Sequence, residues 1–401
     1  MREANMENGL IPALTTAAHV KRALREHLRA IGYRFVRGKP VREHSSKEDI
    51  RKLYASKRES ILESNQSFLK ANLAKLKTNF ANGSEIDPSN VEVKLEVVHK
   101  STWQSDLFRL ATLTWSVPVS SGYGRRIRFL VWDSSNGKLM GILALGDPVF
   151  NLAQRDANIC WSNTQKSAKI SSVMDAFVLG AVPPYSYILG GKVIASLLRS
   201  KEIKKIFSEK YKGKRSVIAR KLHDGQLSLI TTTSSLGRSS IYNRLSIDGQ
   251  KILTPSGYSN GWGHFHISDD VFKIIRKYLE EHDDPYSGNH QYGQGPNWRL
   301  RAIRKCLEDV GFDSSILNHG IKRQIFLCPT HENSYSFLRE ESGKLRNCLM
   351  MPCSEISSKA INRWMIPRAR RDDSYKHWTQ DLLFKPSIKK EETHIIRSRK
   401  I

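Results

Sequence analysis

Between Ser196 and Leu245 the chain sets twelve Lys or Arg residues against three Asp or Glu, a local balance of +9. Lys201, Lys204, Lys205, Lys210, Lys212, Lys214 and Arg215 crowd the first half, and Arg238 follows within a Ser- and Thr-rich stretch. Cations at this density suit phosphodiester contacts, because each neutralised phosphate releases condensed counterions and adds affinity. Tyr211 is placed to stack on a base, while the nearby Phe207 reads as core. The plain alternative is a solvated helix face with no partner. Lys204, Lys205, Lys210, Lys212, Lys214, Arg215 and Arg238 are therefore the candidate nucleic-acid contacts.

A different chemistry is offered by Val173 to Leu198, VMDAFVLGAVPPYSYILGGKVIASLL, which reads as a buried strand, a turn and a helix start. Pro183-Pro184 ends ladder pairing, since proline donates no hydrogen bond. Gly190-Gly191 lets the backbone approach a group above the helix, whose first N–H groups bind anions such as pyrophosphate. Gly190 and Gly191 are the candidate cofactor contacts, with a tight turn between core elements as the plain alternative. In layout this strand–loop–helix looks like the acyl-coenzyme-A-binding element of the GCN5-related acetyltransferase fold. That family shows Gln or Arg, two residues, Gly, one residue, then Gly or Ala; here Tyr187 and Lys192 hold the outer positions. The cofactor itself stays unassigned.

Other constellations are sparser. Thr231 to Arg244, TTTSSLGRSSIYNR, could cradle a phosphate with hydroxyls and two arginines, but lacks the Gly-Lys-Ser/Thr ending of a P-loop. No His or Asp is adjacent to make one of its serines a nucleophile, so no catalytic residue is assigned. Asp133, Asp147, Asp156 and Asp175 fall near strand ends and would hold Mg²⁺ only if folding gathered them. Cys328, His331, Cys348 and Cys353 would supply four zinc ligands, or the cysteines are simply buried. Tyr292 to Arg301 sets Asn297, Trp298, Arg299 and Arg301 at a loop-to-helix junction that reads a ligand or docks the helix.

The elements that must position these groups follow from periodicity. Val20, Leu24, Leu28 and Ile31 have helical spacing, and Ser45-Ser-Lys-Glu48 opens a second helical region with a capping box. Val91 to Val97 alternates as a half-buried strand, and Ile127–Asp133 and Lys138–Leu145 flank the hairpin signal Ser134-Ser-Asn-Gly137. Val173–Val182 is a strand, 190–210 is helical, and Ser216–Leu222 and Leu227–Thr232 are strands. Ser268–Leu279 and the run from Asn297 to Gly311 are helices. The fold class is α+β, a mixed-sheet α/β core resembling the acetyltransferase fold with helical regions at both ends. Domains are expected at 1–85 (N-terminal helical region), 86–255 (core), 256–365 (C-terminal helical and loop region) and 366–401 (basic tail).

Bulk properties bound the function. The 401 residues, 39% hydrophobic with a net charge of +26, suit roughly two or three folded units that favour a polyanionic partner. From Arg363 onward, eleven basic residues face five acidic ones. No apolar run reaches membrane-spanning length, so no membrane role is expected. Five cysteines at irregular spacing and no visible signal peptide suit the cytoplasm.

Leu130 to Pro148, the strand–loop–helix above, Thr233 to Tyr242 and Gly293 to Arg299 together resemble the DruA family of type I Druantia anti-phage defence systems, over about residues 20 to 370. The resemblance implies a bacterial antiviral-defence component acting with other Druantia proteins, including the helicase-like DruE. It carries no catalytic residues with it. Nucleic-acid binding is the expected activity, with an acyltransferase-like enzyme and an assembly factor for the defence complex as alternatives.

Overall fold

A computed structural model of the chain describes residues 15–42, 46–120, 122, 124–215, 221–288, 298–340 and 343–384. Helix α1 (Ala17–Ala30) starts where the Thr16 side chain accepts from the His19 N–H, and it buries Val20, Leu24 and Leu28 along one face. The hairpin β1 (Arg34–Val36)–β2 (Lys39–Val41) turns through Arg37 and Gly38, both left-handed as a tight hairpin turn requires. Helix α2 (Lys47–Ser64) is capped by Ser46 and Asp49, one step later than Ser45 and Glu48: the Asp49 N–H donates to Ser46 Oγ at 3.1 Å and the Ser46 N–H to Asp49 Oδ2 at 3.0 Å. Glu48 pairs with Arg51 instead.

Along the chain follow α3 (Gln66–Leu76), β3 (Val93–Val97), α4 (Trp103–Leu113), β4 (Arg126–Asp133), β5 (Lys138–Gly146), α5 (Ala153–Ile159), α6 (Asn163–Lys169) and β6 (Val173–Ala181). Next come α7 (Gly190–Ser196), α8 (Lys201–Tyr211), β7 (Leu229–Thr233), α9 (Ser240–Asn243), the short pair β8 (Ser246–Ile247) and β9 (Gln250–Lys251), and β10 (Thr254–Tyr258). Then α10 (Asp269–Glu281), α11 (Trp298–Asp309), β11 (Gln324–Pro329), α12 (Ser334–Arg339) and α13 (Cys353–Ala360) lead through a π-helical turn, Ile361–Met365, into α14 (Ile366–Arg371). Residues 216–220, read as part of a strand, lie outside the described residues; Arg215 and Leu222 on either side form an antiparallel bridge.

The chain divides into two compact units, Met1–Ser60 with Asn260–Lys322, and Ile61–Ser259 with Arg323–Ile401. The cuts differ from the linear boundaries at 85/86, 255/256 and 365/366, because segments far apart in sequence close one unit. In the first unit the Asp269 carboxylate, in the first turn of α10, is held by Lys57, Ser60 and Arg299. Burial alone would raise its pKa, but these donors hold it down at about 2.

The second unit is built on a seven-stranded mixed sheet in the order β10-β11-β7-β6-β5-β4-β3. All neighbours run antiparallel except β6 and β7, which pair in parallel only over Val173–Asp175 and Leu229–Thr231. Alternation then sorts the faces. Ile127, Phe129, Val131, Leu143 and Leu145 point to the core shared with α7, α8 and α13. Leu130, Ile142 and Ala144 point to the opposite core with α3 and α4. Two expectations are corrected here. The region read as helical and loop supplies β11, a central strand, and the helix read over 190–210 is two helices broken at Ser200.

Asp133 ends β4 fully buried and is satisfied on all sides. Tyr185 OH donates to Oδ2 at 2.8 Å, and Ser135 Oγ, the Ser135 N–H and the Glu92 N–H donate to Oδ1 at 2.6, 3.1 and 3.2 Å. Asp133→Ala strands these donors and is expected to lower stability by about 3 kcal/mol. Tyr185→Phe, which leaves three of the four bonds, should cost about 1 kcal/mol. Urea titration of both variants checks this, and equal losses would show that the carboxylate network does not organise the end of the strand.

Candidate nucleic-acid interface

Helix α8 buries Ile203, Phe207 and Tyr211 and so turns its lysines outward. The 3.6-residue period decides what each lysine meets. Lys205 is solvated and pairs loosely with Glu209 at 3.9 Å. Lys204 reaches His331 Nε2 at 3.0 Å with Cys348 Sγ at 3.8 Å. Thr330 Oγ1 lies 2.7 Å from the Leu227 carbonyl, to which it donates, so it accepts from His331 Nδ1 at 2.8 Å. That leaves Nε2 as the acceptor for the Lys204 ammonium. His331 is thus held neutral, its pKa lowered to about 4 by burial and then by Lys204.

The C-terminal end of α8 is different. Lys210 Nζ donates to the Arg126 carbonyl at 2.8 Å, at the start of β4. Burial lowers the Lys210 pKa, and Lys214, Arg128 and Lys100 lower it further. Arg128 is itself lowered by burial and by Arg126, and its guanidinium lies 5.5 Å from the Phe108 ring centroid. None of the groups acting on these two cations is a carboxylate. Strand β4 alternates, so Arg126 and Arg128 share one face, and Gly213 in the left-handed region turns the chain after α8 to bring Lys214 back. Lys100, Arg126, Arg128, Lys210 and Lys214 therefore form one basic patch assembled from three separated segments.

The seven sequence-derived contacts do not all join it. Lys210 and Lys214 do. Lys212 and Arg215 are exposed next to Lys214, Lys204 is engaged with His331, and Arg238 is exposed in the turn between β7 and α9. Lys100, Arg126 and Arg128 escape the sequence reading, although the alternation Arg126-Ile-Arg128 signals a cationic strand face. The first unit has its own basic concavity, about 230 Å³, where Lys21, Arg25, Arg37 and Lys39 face a single carboxylate, Asp313.

At the strand–loop–helix, Pro183-Pro184 is cis and Tyr185 is fully buried. The two glycines face the chain itself. A Cβ on Gly190 would fall 2.7 Å from the Tyr185 carbonyl, and one on Gly191 would meet only Ile241. The Gly190 N–H donates to the Tyr185 carbonyl at 2.9 Å and the Lys192 N–H to the Leu189 carbonyl at 2.9 Å. Gly190 thus serves close packing, Gly191 would tolerate a Cβ in ordinary contact with Ile241, and two N–H groups of the helix start are already bonded within the chain.

The aspartates are dispersed among separate partners. Asp147 takes Arg125 Nε at 2.6 Å, and Asp156 takes Arg155 and Trp161 on one oxygen and Lys166 on the other. Asp175 accepts from Thr231 Oγ1 at 2.5 Å, its pKa raised by burial to about 6. Cys328 and Cys353 are buried in the core, and Lys204 stands between His331 and Cys348. Among the described residues no three His, Cys, Asp or Glu side chains are placed to hold a metal. Of the Tyr292–Arg301 segment, residues 292–297 lie outside the described residues; Arg299 binds Asp269 and the Ile267 and Ser268 carbonyls, a docking role. Residues 385–401 of the basic tail also lie outside them.

The family model described as Druantia protein DruA matches residues 44–340. A curated protein described as Druantia protein DruA, from Escherichia coli (strain UMEA 4076-1), is 46% identical over 368 residues, covering 92% of this chain and 91% of that protein. No solved structure matches. No helix among the described residues is long and apolar enough to cross a membrane.

The geometry at His331 sets a pH dependence. An unfolded histidine takes up a proton near pH 6.5, whereas this one resists until about pH 4. The unfolded chain therefore binds more protons in that window, and stability is lost as pH falls through it. His331→Gln should reduce the stability lost between pH 7 and pH 5 by up to about 2 kcal/mol. His264, also lowered to about 4, keeps the remaining slope in the same direction. Urea midpoints at pH 7, 6 and 5 test this, and an unchanged slope in the variant would refute it.

Proposed function

This chain belongs to the DruA family of Druantia proteins, components of bacterial anti-phage defence, and from that premise we propose that it binds nucleic acid through the Lys100–Arg126–Arg128–Lys210–Lys214 patch. The observation that carries the reading is the placement of Lys210: its ammonium is tied to the Arg126 carbonyl at 2.8 Å, where burial first and then Lys214, Arg128 and Lys100 lower its pKa. Holding like charges together is unfavourable in the free protein, and a polyanion relieves it. Phosphates spaced along a backbone match cations spread over a strand face and a helix end better than a single small anion does. The net charge of +26 acts in the same direction by raising the encounter rate.

Other Druantia proteins are plausible partners for a member of this family, and we extend this to the helicase-like DruE and to a cytoplasmic site of action. The acetyltransferase-like reading of the core is supported by the β6–turn–α7 layout and by the parting of β6 from β7 beyond Asp175 and Thr231. Acyl-coenzyme-A chemistry is less supported, because Ile241 and the Tyr185 carbonyl occupy the approaches to Gly191 and Gly190.

The test is titration of fluorescent 30-nucleotide single strands and duplexes across a salt series. Affinity should fall steeply with salt. Replacing Lys100, Arg128, Lys210 and Lys214 together by Gln should weaken binding and flatten the log–log salt slope by about 0.9 for each duplex phosphate that is no longer neutralised. Lys70→Gln, on exposed α3, should change neither. Full affinity in the quadruple variant would place the interface elsewhere. Co-purification of other Druantia proteins that survives both nuclease and the quadruple variant would favour an assembly role.

A further inference from the structure

Lys192, in the first turn of α7, is 8% exposed, yet its ammonium has no ion-pair or hydrogen-bond partner among the described residues. It lies 4.7 Å from the Trp364 ring centroid, and the Arg363 guanidinium lies 5.5 Å from the same ring. Arg363 Nη2 reaches Ser246 Oγ at 3.4 Å, two residues beyond the exposed Arg244. Burial lowers the Lys192 pKa first, and Arg244 and Arg363 lower it further, again with no carboxylate opposing them. Acids in this neighbourhood are already engaged. Asp248 and Glu355 both bind Lys359, at 2.7 and 2.8 Å, and Asp372 binds Arg368 at 2.7 Å.

The Lys192 stem is buried while its ammonium stays open to solvent, and two arginines beside it gather like charges there, which is unfavourable. The backbone is arranged to keep them there. Arg363 and Trp364 sit on the π-helical turn Ile361–Met365, next to Pro367, which has no N–H to donate to the Arg363 carbonyl. Single π turns within α-helices frequently accompany functional sites. The Lys192 nitrogen is not among the sealed, unpartnered polar atoms, so it is reachable from solvent.

We propose that Lys192, Arg244 and Arg363 form a phosphate-binding site with Trp364 as its wall. Three cations suit the single charge of a phosphodiester or the near-double charge of a terminal phosphate, and the two guanidinium forks match its oxygens. The recognised chemistry is the phosphate itself, carried either by a free nucleotide or by a nucleic-acid backbone. Side chains make the site, so it does not need the consumed N–H groups of the glycine turn. It is also separate from the Lys210 patch and stands or falls independently of the function proposed above.

Thermal midpoints of the full chain in increasing inorganic phosphate, against chloride at equal ionic strength, test the site. Wild type should be stabilised as ligand linkage requires. Lys192→Met keeps the apolar stem against Trp364, so in chloride it should be at least as stable as wild type while its apparent phosphate affinity drops at least tenfold. Arg244→Gln, exposed and free of packing constraints, should weaken phosphate as well. The quadruple Gln variant of the Lys210 patch should keep the full phosphate response, which separates failure of this site from failure of the nucleic-acid reading. Stronger stabilisation by ATP than by a short oligonucleotide at equal phosphate concentration assigns the site to a free nucleotide, and the reverse assigns it to a nucleic-acid backbone. An absent response in wild type, or an equal response in Lys192→Met and Arg244→Gln, overturns the proposal.

Discussion

Positive charge left without a counter-charge is the constraint around which the second unit is arranged. Its carboxylates are largely committed: Asp147 to Arg125, Asp156 to Arg155 and Lys166, Asp248 and Glu355 to Lys359, Asp133 to hydroxyl and backbone donors. Lys100, Arg128, Lys210 and Lys214 lie close together, and the sheet holds them in place. Lys210 is tied to the Arg126 carbonyl, and Arg126 and Arg128 are fixed by the pairing of β4 with β3 and β5. Packing on both faces of the sheet offsets the repulsion in the free protein, and an anion removes it.

Local signals are legible where one short segment decides the outcome. The hairpin around Ser134–Gly137, the strand over Val173–Ala181, the Ser268 cap and the outward lysines of α8 all follow from period and turn chemistry. The failures are non-local. Strand β11 is a six-residue segment, mostly apolar, whose Cys328 suggests a ligand, and nothing near it reveals that it lies between β10 and β7. Lys100, Arg126 and Arg128 gain meaning only because the end of α8 lands on the start of β4. A charge count along the sequence finds only part of that patch, because Lys100, Arg126 and Arg128 are too few and too scattered to register as a basic run.

His331 and Cys348 show how proximity and chemistry separate. The sequence groups them with Cys328 and Cys353 as a possible zinc set, and the two are bridged across adjacent backbone segments. The group between them is an ammonium, which repels a cation. Lys204 turns the imidazole into a neutral acceptor, so the same residues form a link between α8 and the segment after β11. A side chain 127 residues away in sequence thus changes the chemistry of the site. Charge of the third neighbour matters more than the identity of the first two.

The turn after β6 makes the same case for anions. Glycines at a helix start invite a backbone cradle, but here their freedom is used to let Gly190 approach the Tyr185 carbonyl and to seat Ile241 above Gly191. With the Gly190 and Lys192 N–H groups bonded internally, side chains become the stronger source of anion capacity. Lys192 supplies it one step further into α7, and the π turn brings Arg363 and Trp364 to meet it. A backbone cradle is indifferent to lysine and arginine positions, whereas a side-chain cluster leaves a mark in the free protein: like charges gathered around a lysine whose stem is buried. That mark is what distinguishes a turn built only for packing from one whose packing also aims charge.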